Sequence, residues 1–139
     1  MKKTMFLLGL VAFLLSGVQA QKVEVRNFHG TVDQIQKNIH LAWWSAGDEN
    51  FVSQIIEYST DGLTFKPLAE LPVIDKDGYI YQYVHATPIV GVNYYRLALM
   101  FIDGGHQNSD MIKVEMGAPP IFTYPTYPSK PRPGSTPRG

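Results

Sequence analysis

The 139-residue sequence contains no cysteine, and that absence excludes several classes of protein. A disulfide-stapled miniprotein, a thiolate nucleophile, a cysteine-ligated zinc site and an iron–sulfur cluster all need the missing side chain. Charge of either sign is not in excess, with twelve Lys and Arg against twelve Asp and Glu, and apolar residues make up 45%. This composition excludes a fully disordered chain, a collagen and a polytopic membrane protein.

Local catalytic and metal-binding motifs are also missing. The four histidines, His29, His40, His85 and His106, are too far apart in the sequence to form a local pair of zinc ligands. There is no Gly-x-Ser-x-Gly elbow and no phosphate-cradling glycine loop. We therefore assign no catalytic residue, no metal and no cofactor, and we expect each histidine to lie at the surface or in a turn.

Residues 1–20 have the layout of a secretory signal peptide. Lys2 and Lys3 precede an apolar run from Met5 to Leu15, and Val18-Gln19-Ala20 offers the small residues that signal peptidase reads. As a helix the run spans roughly 16 Å, about half of a bilayer core, so a retained membrane span is not expected. No cysteine follows the cleavage site, which excludes a bacterial lipoprotein anchor. The sequence predicts an exported protein, either periplasmic or at the cell surface.

Charge divides the rest of the chain into two regions. Residues 21–116 carry seven basic and twelve acidic side chains, a formal charge of −5, whereas residues 117–139 carry three basic side chains and no acid. The acidic body argues against nucleic acid as a partner, because binding to phosphates needs a basic face. We expect residues 21–116 to form one folded domain and residues 117–139 to form a separate tail.

Short apolar runs separated by turn residues recur through the body, without a helical period. Asp-Gly pairs mark tight turns, because glycine accepts a positive φ at no steric cost. Two prolines interrupt the fourth run, which favours an edge position for it. The predicted strands are Lys22–Phe28, Ile39–Trp44, Val52–Tyr58, Phe65–Leu71, Tyr79–Val84, Tyr94–Ile102 and Met111–Met116. About seven antiparallel strands predict an all-β sandwich of two sheets.

Two adjacent tryptophans are predicted to point to opposite faces of one strand. Trp43 is in phase with Ile39 and Leu41, so it is expected in the core. Trp44 is then exposed or half-covered by a neighbouring loop. An exposed aromatic ring can stack on sugars or peptides, which makes Trp44 a candidate binding residue.

Motifs spread over residues 39–114 resemble the fibronectin type III-like domains of exported bacterial surface proteins. In chain order they are Leu41-x-Trp43, Asp48-x-Asn50, Ile56-Glu57-x-Ser59-Thr60-Asp61-Gly62-x-x-Phe65, Tyr81-x-Tyr83, Pro88-x-x-Gly91-x-Asn93-Tyr94-Tyr95-Arg96-Leu97, Asp103-Gly104 and Ser109. The resemblance implies an immunoglobulin-like sandwich without catalytic machinery. It also implies structural roles for Asp61, Gly62 and Gly91 in turns.

Type III-like sandwiches keep a tyrosine at the start of the sixth strand, and its hydroxyl bonds back to the preceding turn. Tyr94 and Tyr95 both stand at that position. Tyr95 is in phase with Leu97 and Phe101, which must face the core. We therefore predict that Tyr95 is the corner residue and that Tyr94 and Arg96 face outward.

At four positions the sequence departs from the pattern of that family. Gln54 stands where an aromatic residue is usual, Tyr58 where an arginine is usual, His85 where an acid is usual and Phe101 where a second aspartate is usual. None of these positions belongs to a catalytic motif. The departures indicate a diverged member, and a Pro-rich tail stands where such proteins often carry a C-terminal sorting domain.

The tail over residues 117–139 contains seven prolines. Proline fixes φ and removes backbone donors, so a disordered or polyproline II state is expected. Tyr124 and Tyr127 repeat with the three-residue period of polyproline II, and Lys130 and Arg132 extend the segment as a cationic strip. The tail is interpreted either as a stiff spacer of about 65 Å or as a ligand for an aromatic groove or an anionic polymer.

The functional prediction is a non-catalytic binding, adhesion or structural module of the bacterial cell envelope. Its partner would be a protein or an envelope polysaccharide. Two alternatives stay open at this point. Exposed aromatic residues such as Trp44 would suit an accessory carbohydrate-binding module, and histidine and aspartate side chains brought together by the fold would suit a small hydrolase.

Overall fold

The computed structural model describes residues 22–122 and Gly134. The predicted signal peptide lies outside these residues. So do the four candidate contact residues of the tail, Tyr124, Tyr127, Lys130 and Arg132. The last described residues before this gap include Ile121 and Phe122, and both are exposed.

Eight antiparallel strands form between residues 22 and 122, and this part of the chain contains no helix. They are β1 (Glu24–Asp33), β2 (Asn38–Ala46), β3 (Phe51–Ser59), β4 (Lys66–Pro72), β5 (Tyr79–His85), β6 (Gly91–Phe101), β7 (His106–Asn108) and β8 (Ile112–Met116). The three-stranded sheet has the order β1-β2-β5. The five-stranded sheet has the order β4-β3-β6-β7, and β8 also pairs with β6. The all-β, two-sheet prediction is confirmed, and so is the edge position of the proline-interrupted strand β4.

Two strand predictions need correction. The estimate of about seven strands missed β7, a three-residue strand that follows the turn at Asp103-Gly104-Gly105. The first strand does not end at Phe28 but continues to Asp33 through a bulge between Arg26 and His29. Asn27 supplies the bend with a φ of 53°, a left-handed conformation that asparagine tolerates better than most residues. The bulge shifts the side-chain alternation, which hides the second half of β1 from a period-two reading.

The inward faces of both sheets bury one hydrophobic cluster. Trp43 is 1% exposed, and Tyr95 and Leu97 are fully buried, as the alternation predicted. The Trp43 ring stacks on Tyr81 with centroids 5.7 Å apart and meets Phe28 edge-on at 5.9 Å. Burial of one such aromatic ring contributes roughly 4–6 kcal/mol by area. This cluster stabilises the pairing of the two sheets.

Gln54 connects the sheets through buried hydrogen bonds. Trp43 Nε1 and Ser45 Oγ, both on β2, donate to Gln54 Oε1 on β3 at 2.8 Å each. The Gln54 side chain is fully buried. Because an indole nitrogen can only donate, the carbonyl end of the amide must face Trp43. Gln54 therefore links β2 to β3 in a chain that has no cysteine.

Asn93 and Tyr95 correct the predicted tyrosine corner. The Tyr95 hydroxyl lies 2.7 Å from Nδ1 of His85 rather than on the backbone of the turn. The turn is held instead by Asn93, whose Oδ1 accepts from the Ile89 amide and whose Nδ2 donates to the Ile89 and Gly91 carbonyls. Asn93 performs this role because its short amide reaches both donors and acceptors of the adjacent turn.

Asp61 lies in the bend that follows β3, whereas Gly91, which was expected in a turn, is the first residue of β6. The Asp61 carboxylate accepts hydrogen bonds from the Leu63 and Thr64 amides and from the Ser59 hydroxyl, each at 2.8 Å. These bonds, led by the one from Thr64, lower the pKa of Asp61 to about 2. Gly91 has a φ of +107° where the chain enters β6, a conformation that L side chains rarely adopt.

Candidate functional site

Trp44 lies on the outer face of the three-stranded sheet. Strand register places it between Arg26 of β1 and Ile80 of β5. The Arg26 guanidinium carbon is 4.6 Å from the centroid of the Trp44 ring, within the range of a cation–π contact. The ring is half-buried, as predicted for Trp44.

Gly78 covers part of the Trp44 ring from the loop between β4 and β5. A Cβ at residue 78 would lie 2.4 Å from Trp44 Cζ2, and the φ of Gly78 is +138°. Both facts require glycine here. The loop is fixed by a hydrogen bond from the Gly47 amide to the Lys76 carbonyl and by one from the Ile74 amide to the Tyr81 hydroxyl, each at 2.9 Å.

An open groove of about 860 Å³ lies beside Trp44, between the edge strands β4 and β5. We call it the Trp44 groove; its main lining residues are Trp44, Leu71, Pro72, Ile74, Tyr79 and Ile80. No charged side chain lines it among the described residues. Two apolar side chains are conspicuously solvent-exposed there, Ile74 at 63% and Ile80 at 64%. The groove can offer apolar contact, but it holds no acid or base within its lining.

His85 corrects the expectation that every histidine lies at the surface or in a turn. It is 4% exposed, and its ring meets that of Tyr58 edge-on at 4.6 Å. Burial lowers the pKa of His85, and burial, together with the nearby Tyr58, raises the pKa of Tyr95. The His85–Tyr95 pair faces the core, where it joins β5 to β6, so both side chains lie away from solvent.

The remaining histidines are exposed. His29 and His40 line a smaller depression of about 370 Å³ on the outer face of the three-stranded sheet. No group of three or more His, Cys, Asp or Glu side chains suited to a metal occurs among the described residues. The two histidines come from adjacent strands, so only the β1–β2 register shows their proximity.

The sequence reasoning missed most of the Trp44 groove. Alternation puts Ile80 and Val84 on the face opposite Tyr81, but it does not show which of the two faces is buried, and the sequence does not mark Ile74 or Ile80 as a binding residue. Ile74 lies in a loop, where no periodicity applies. Ile74 and Ile80 both lie beside Trp44 only because of the path that the loop between β4 and β5 takes.

Comparison with known proteins adds little. No family model matches the chain, and no curated protein matches it. One matching solved structure is described as the X-ray structure of Northeast Structural Genomics Consortium target SoR45. The alignment covers 79% of this chain and 94% of that chain, at 10% sequence identity and a TM-score of 0.29. Between residues 22 and 122 there is no helix with the length and apolar character that crossing a bilayer requires.

Proposed function

We propose that this chain is an exported, non-catalytic binding module of the bacterial cell envelope with a fibronectin type III-like sandwich. The strand order supports the fold part of the proposal. Immunoglobulin-like sandwiches place the first, second and fifth strands in one sheet and the third, sixth and seventh in the other. β1, β2 and β5 share one sheet here, whereas β3, β6 and β7 share the other.

The Trp44 groove is the observation that carries the binding function. Its apolar side chains Ile74 and Ile80 remain largely exposed after folding, so they contribute little to the core. Exposed apolar clusters of this kind are typical of interaction sites. An uncharged, apolar lining fits an extended apolar segment of a partner protein.

A polysaccharide fits the groove less well. Sugar rings need the flat face of an aromatic side chain, and in Trp44 the Arg26 guanidinium lies over the ring while Gly78 packs against it. Stacking of a sugar on Trp44 would require one of these two contacts to open. The carbohydrate-binding alternative is therefore the second candidate.

A peptide library displayed on phage and selected on the purified chain tests the proposal. We expect enriched peptides rich in apolar residues, whose binding is weakened about tenfold or more by Ile74→Asp, since a carboxylate in an apolar contact is costly. Leu63→Asp is the matched control, because Leu63 is 86% exposed and lies outside the groove lining.

Three results would contradict the proposal. Equal loss in both variants would remove the groove from the binding site. Binding of soluble envelope polysaccharide that Trp44→Ala abolishes would favour the carbohydrate alternative. Saturable turnover of an envelope polymer, lost on mutation of one polar side chain, would make the protein an enzyme. Export is tested separately, by the N-terminal mass of the chain recovered from fractionated cells.

A further inference from the structure

The edge strands of the two sheets differ in how they are protected against pairing with another chain. Sheet edges are blocked in natural proteins by proline, charged residues and bulges. β4 contains Pro67 and Pro72, β1 contains the bulge at Asn27, and β8 contains Lys113. β5 has none of these devices, because Tyr79–His85 includes no proline, glycine, lysine or acid. An unprotected edge of high β-propensity is suited to strand addition.

The side chains on β5 fit the same role. Among the described strands, β5 pairs only with β2, so one side of its backbone has no strand partner there. On the outer face of the sheet, Ile80 is 64% exposed and Val84 is 44% exposed. Gln82, between them, is exposed as well. The edge therefore presents β-branched apolar side chains and no charge.

The sequence of β5 is nearly symmetric about its centre. It reads Tyr-Ile-Tyr-Gln-Tyr-Val-His from residue 79 to residue 85. Tyr81 and Tyr83 flank Gln82, and the next positions outward are the β-branched Ile80 and Val84. An isologous two-fold contact places residue i opposite j and j opposite i. In an antiparallel pair centred on Gln82, Tyr81 therefore faces Tyr83 and the β-branched Ile80 faces the β-branched Val84, so the strand is complementary to itself in this register.

We propose that a second copy of this chain pairs antiparallel with the β5 edge, about a two-fold axis at Gln82. The pairing joins two three-stranded sheets into one continuous sheet of six strands. Ile80 faces Val84 of the partner subunit across the seam, and Trp44 lies next to Ile80 in its own sheet. On the outer face, Trp44 and Ile80 of one copy then lie beside the partner's Val84, on each side of the two Gln82 side chains. This inference goes beyond the proposed function, although the two share Ile80, which also lines the Trp44 groove.

The register avoids electrostatic repulsion. Asp75 and Asp77 lie just before β5, and an axis at Gln82 places each of them opposite the region that follows β5 in the other copy. The two acidic loops are thus at opposite ends of the seam. Residues 21–116 carry a formal charge of −5, but the strand at which the two copies meet is uncharged.

Paired charges at residues 80 and 84 test the partner and the register together. Ile80→Lys with Val84→Glu places a lysine opposite a glutamate twice, so we expect the dimer to be retained. Ile80→Lys with Val84→Lys places lysines opposite each other, so we expect its Kd to rise roughly tenfold or more. Both double variants replace the same exposed side chains, and near-UV circular dichroism shows whether each keeps the folded core. Sedimentation velocity of the purified chain measures the Kd.

A single cysteine gives an independent test, because the chain has no other thiol. Gln82→Cys puts the two Cα atoms about 5 Å apart across the axis, a separation that a disulfide spans. Val84→Cys is the control, since its two copies would be displaced by about 13 Å along the strands. We expect mild oxidation to cross-link the first variant and not the second.

Several outcomes overturn the inference. The first is a wild-type chain that stays monomeric at about 100 μM, a concentration far above a micromolar Kd. The second is equal cross-linking of the two cysteine variants. The third is an equal rise of the dimer Kd in the two charge-pair variants. A dimer that forms only after residues 117–139 are removed would show that the tail, rather than a second copy, occupies the edge. The peptide selection is read with Ile74→Asp, and the dimer is read with residues 80, 82 and 84, so failure of one proposal is distinguishable from failure of the other.

Discussion

Trp43 and Trp44 are adjacent in the sequence and face opposite environments. Trp43 points inward, is 1% exposed and donates its indole hydrogen to Gln54. Trp44 points outward and contacts Arg26 and Gly78 at the side of a groove. On the inner face, Gln54 Oε1 and the His85–Tyr95 pair make hydrogen bonds between the two sheets, while Gln54 Nε2 is buried without a partner among the described residues. On the outer face, apolar groups such as Ile80 are left in contact with solvent, so the inner face contributes most of the stability of the fold.

The largest expected effect separates the two tryptophans directly. Trp43→Ala should lower the free energy of unfolding by about 3–5 kcal/mol, since it removes a fully buried ring and leaves a cavity. Trp44→Ala should lower it by about 1 kcal/mol, because that ring is half-buried and its contacts are at the surface. Urea unfolding followed by circular dichroism measures both. Equal losses would show that the outer face also stabilises the fold.

Gln54→Ala should have the next largest effect. It leaves Trp43 Nε1 and the Ser45 hydroxyl without their acceptor inside the core, at a cost of about 3 kcal/mol in the free energy of unfolding. The same measurement on Gln34→Ala, at an exposed position in the β1–β2 turn, should show almost no loss. A loss below about 1 kcal/mol for Gln54→Ala would mean that the hydrogen bonds across the sheets are replaced at little cost.

Acid should weaken the inner face through His85. Burial lowers the pKa of His85 from its usual 6.5, so below about pH 6.5 the unfolded chain binds a proton that the folded chain does not. The free energy of unfolding therefore decreases as the pH is lowered below about 6.5, and it recovers when the pH is raised above that value. Urea midpoints at about pH 7.5 and about pH 5 measure the change. His85→Gln should remove this dependence, and an unchanged pH dependence in that variant would assign it to another group.

The smallest effect is expected on the outer face. Arg26→Ala removes a cation–π contact worth about 0.5–1 kcal/mol at an exposed site. The free energy of unfolding should therefore fall by at most about 1 kcal/mol. The fluorescence of Trp44 should change, because its ring loses a charged neighbour. A stability loss as large as that of Gln54→Ala would contradict the division between the two faces.

Much of the fold could be predicted because strand alternation is a local signal. The core positions of Trp43, Tyr95 and Leu97 follow from the period of two residues alone. β7 could not be predicted in that way, since three residues are too few to show a period. The extension of β1 was hidden because the bulge at Asn27 changes the phase in the middle of the strand.

Polar residues of the interior and the groove were harder to find. Gln54 is in phase with Ile56, and His85 is in phase with Tyr81, so alternation did place both inward. The polar side chains of both residues favoured the surface instead. Only their hydrogen-bond partners on the facing sheet show why Gln54 and His85 lie inside. The groove depends on a loop, whose path is not encoded by any repeating pattern.

Gln107 holds the beginning of the folded chain, because its amide bonds to both the nitrogen and the carbonyl of Val23. Val23 lies at one end of the sheets, and Met116, which pairs with Gly91, lies at the other end. Tension applied through the two chain ends would therefore pull along the strands, across hydrogen bonds that are perpendicular to them. Such a domain would be loaded in shear, with many bonds sharing the force at once, instead of unzipping one bond at a time.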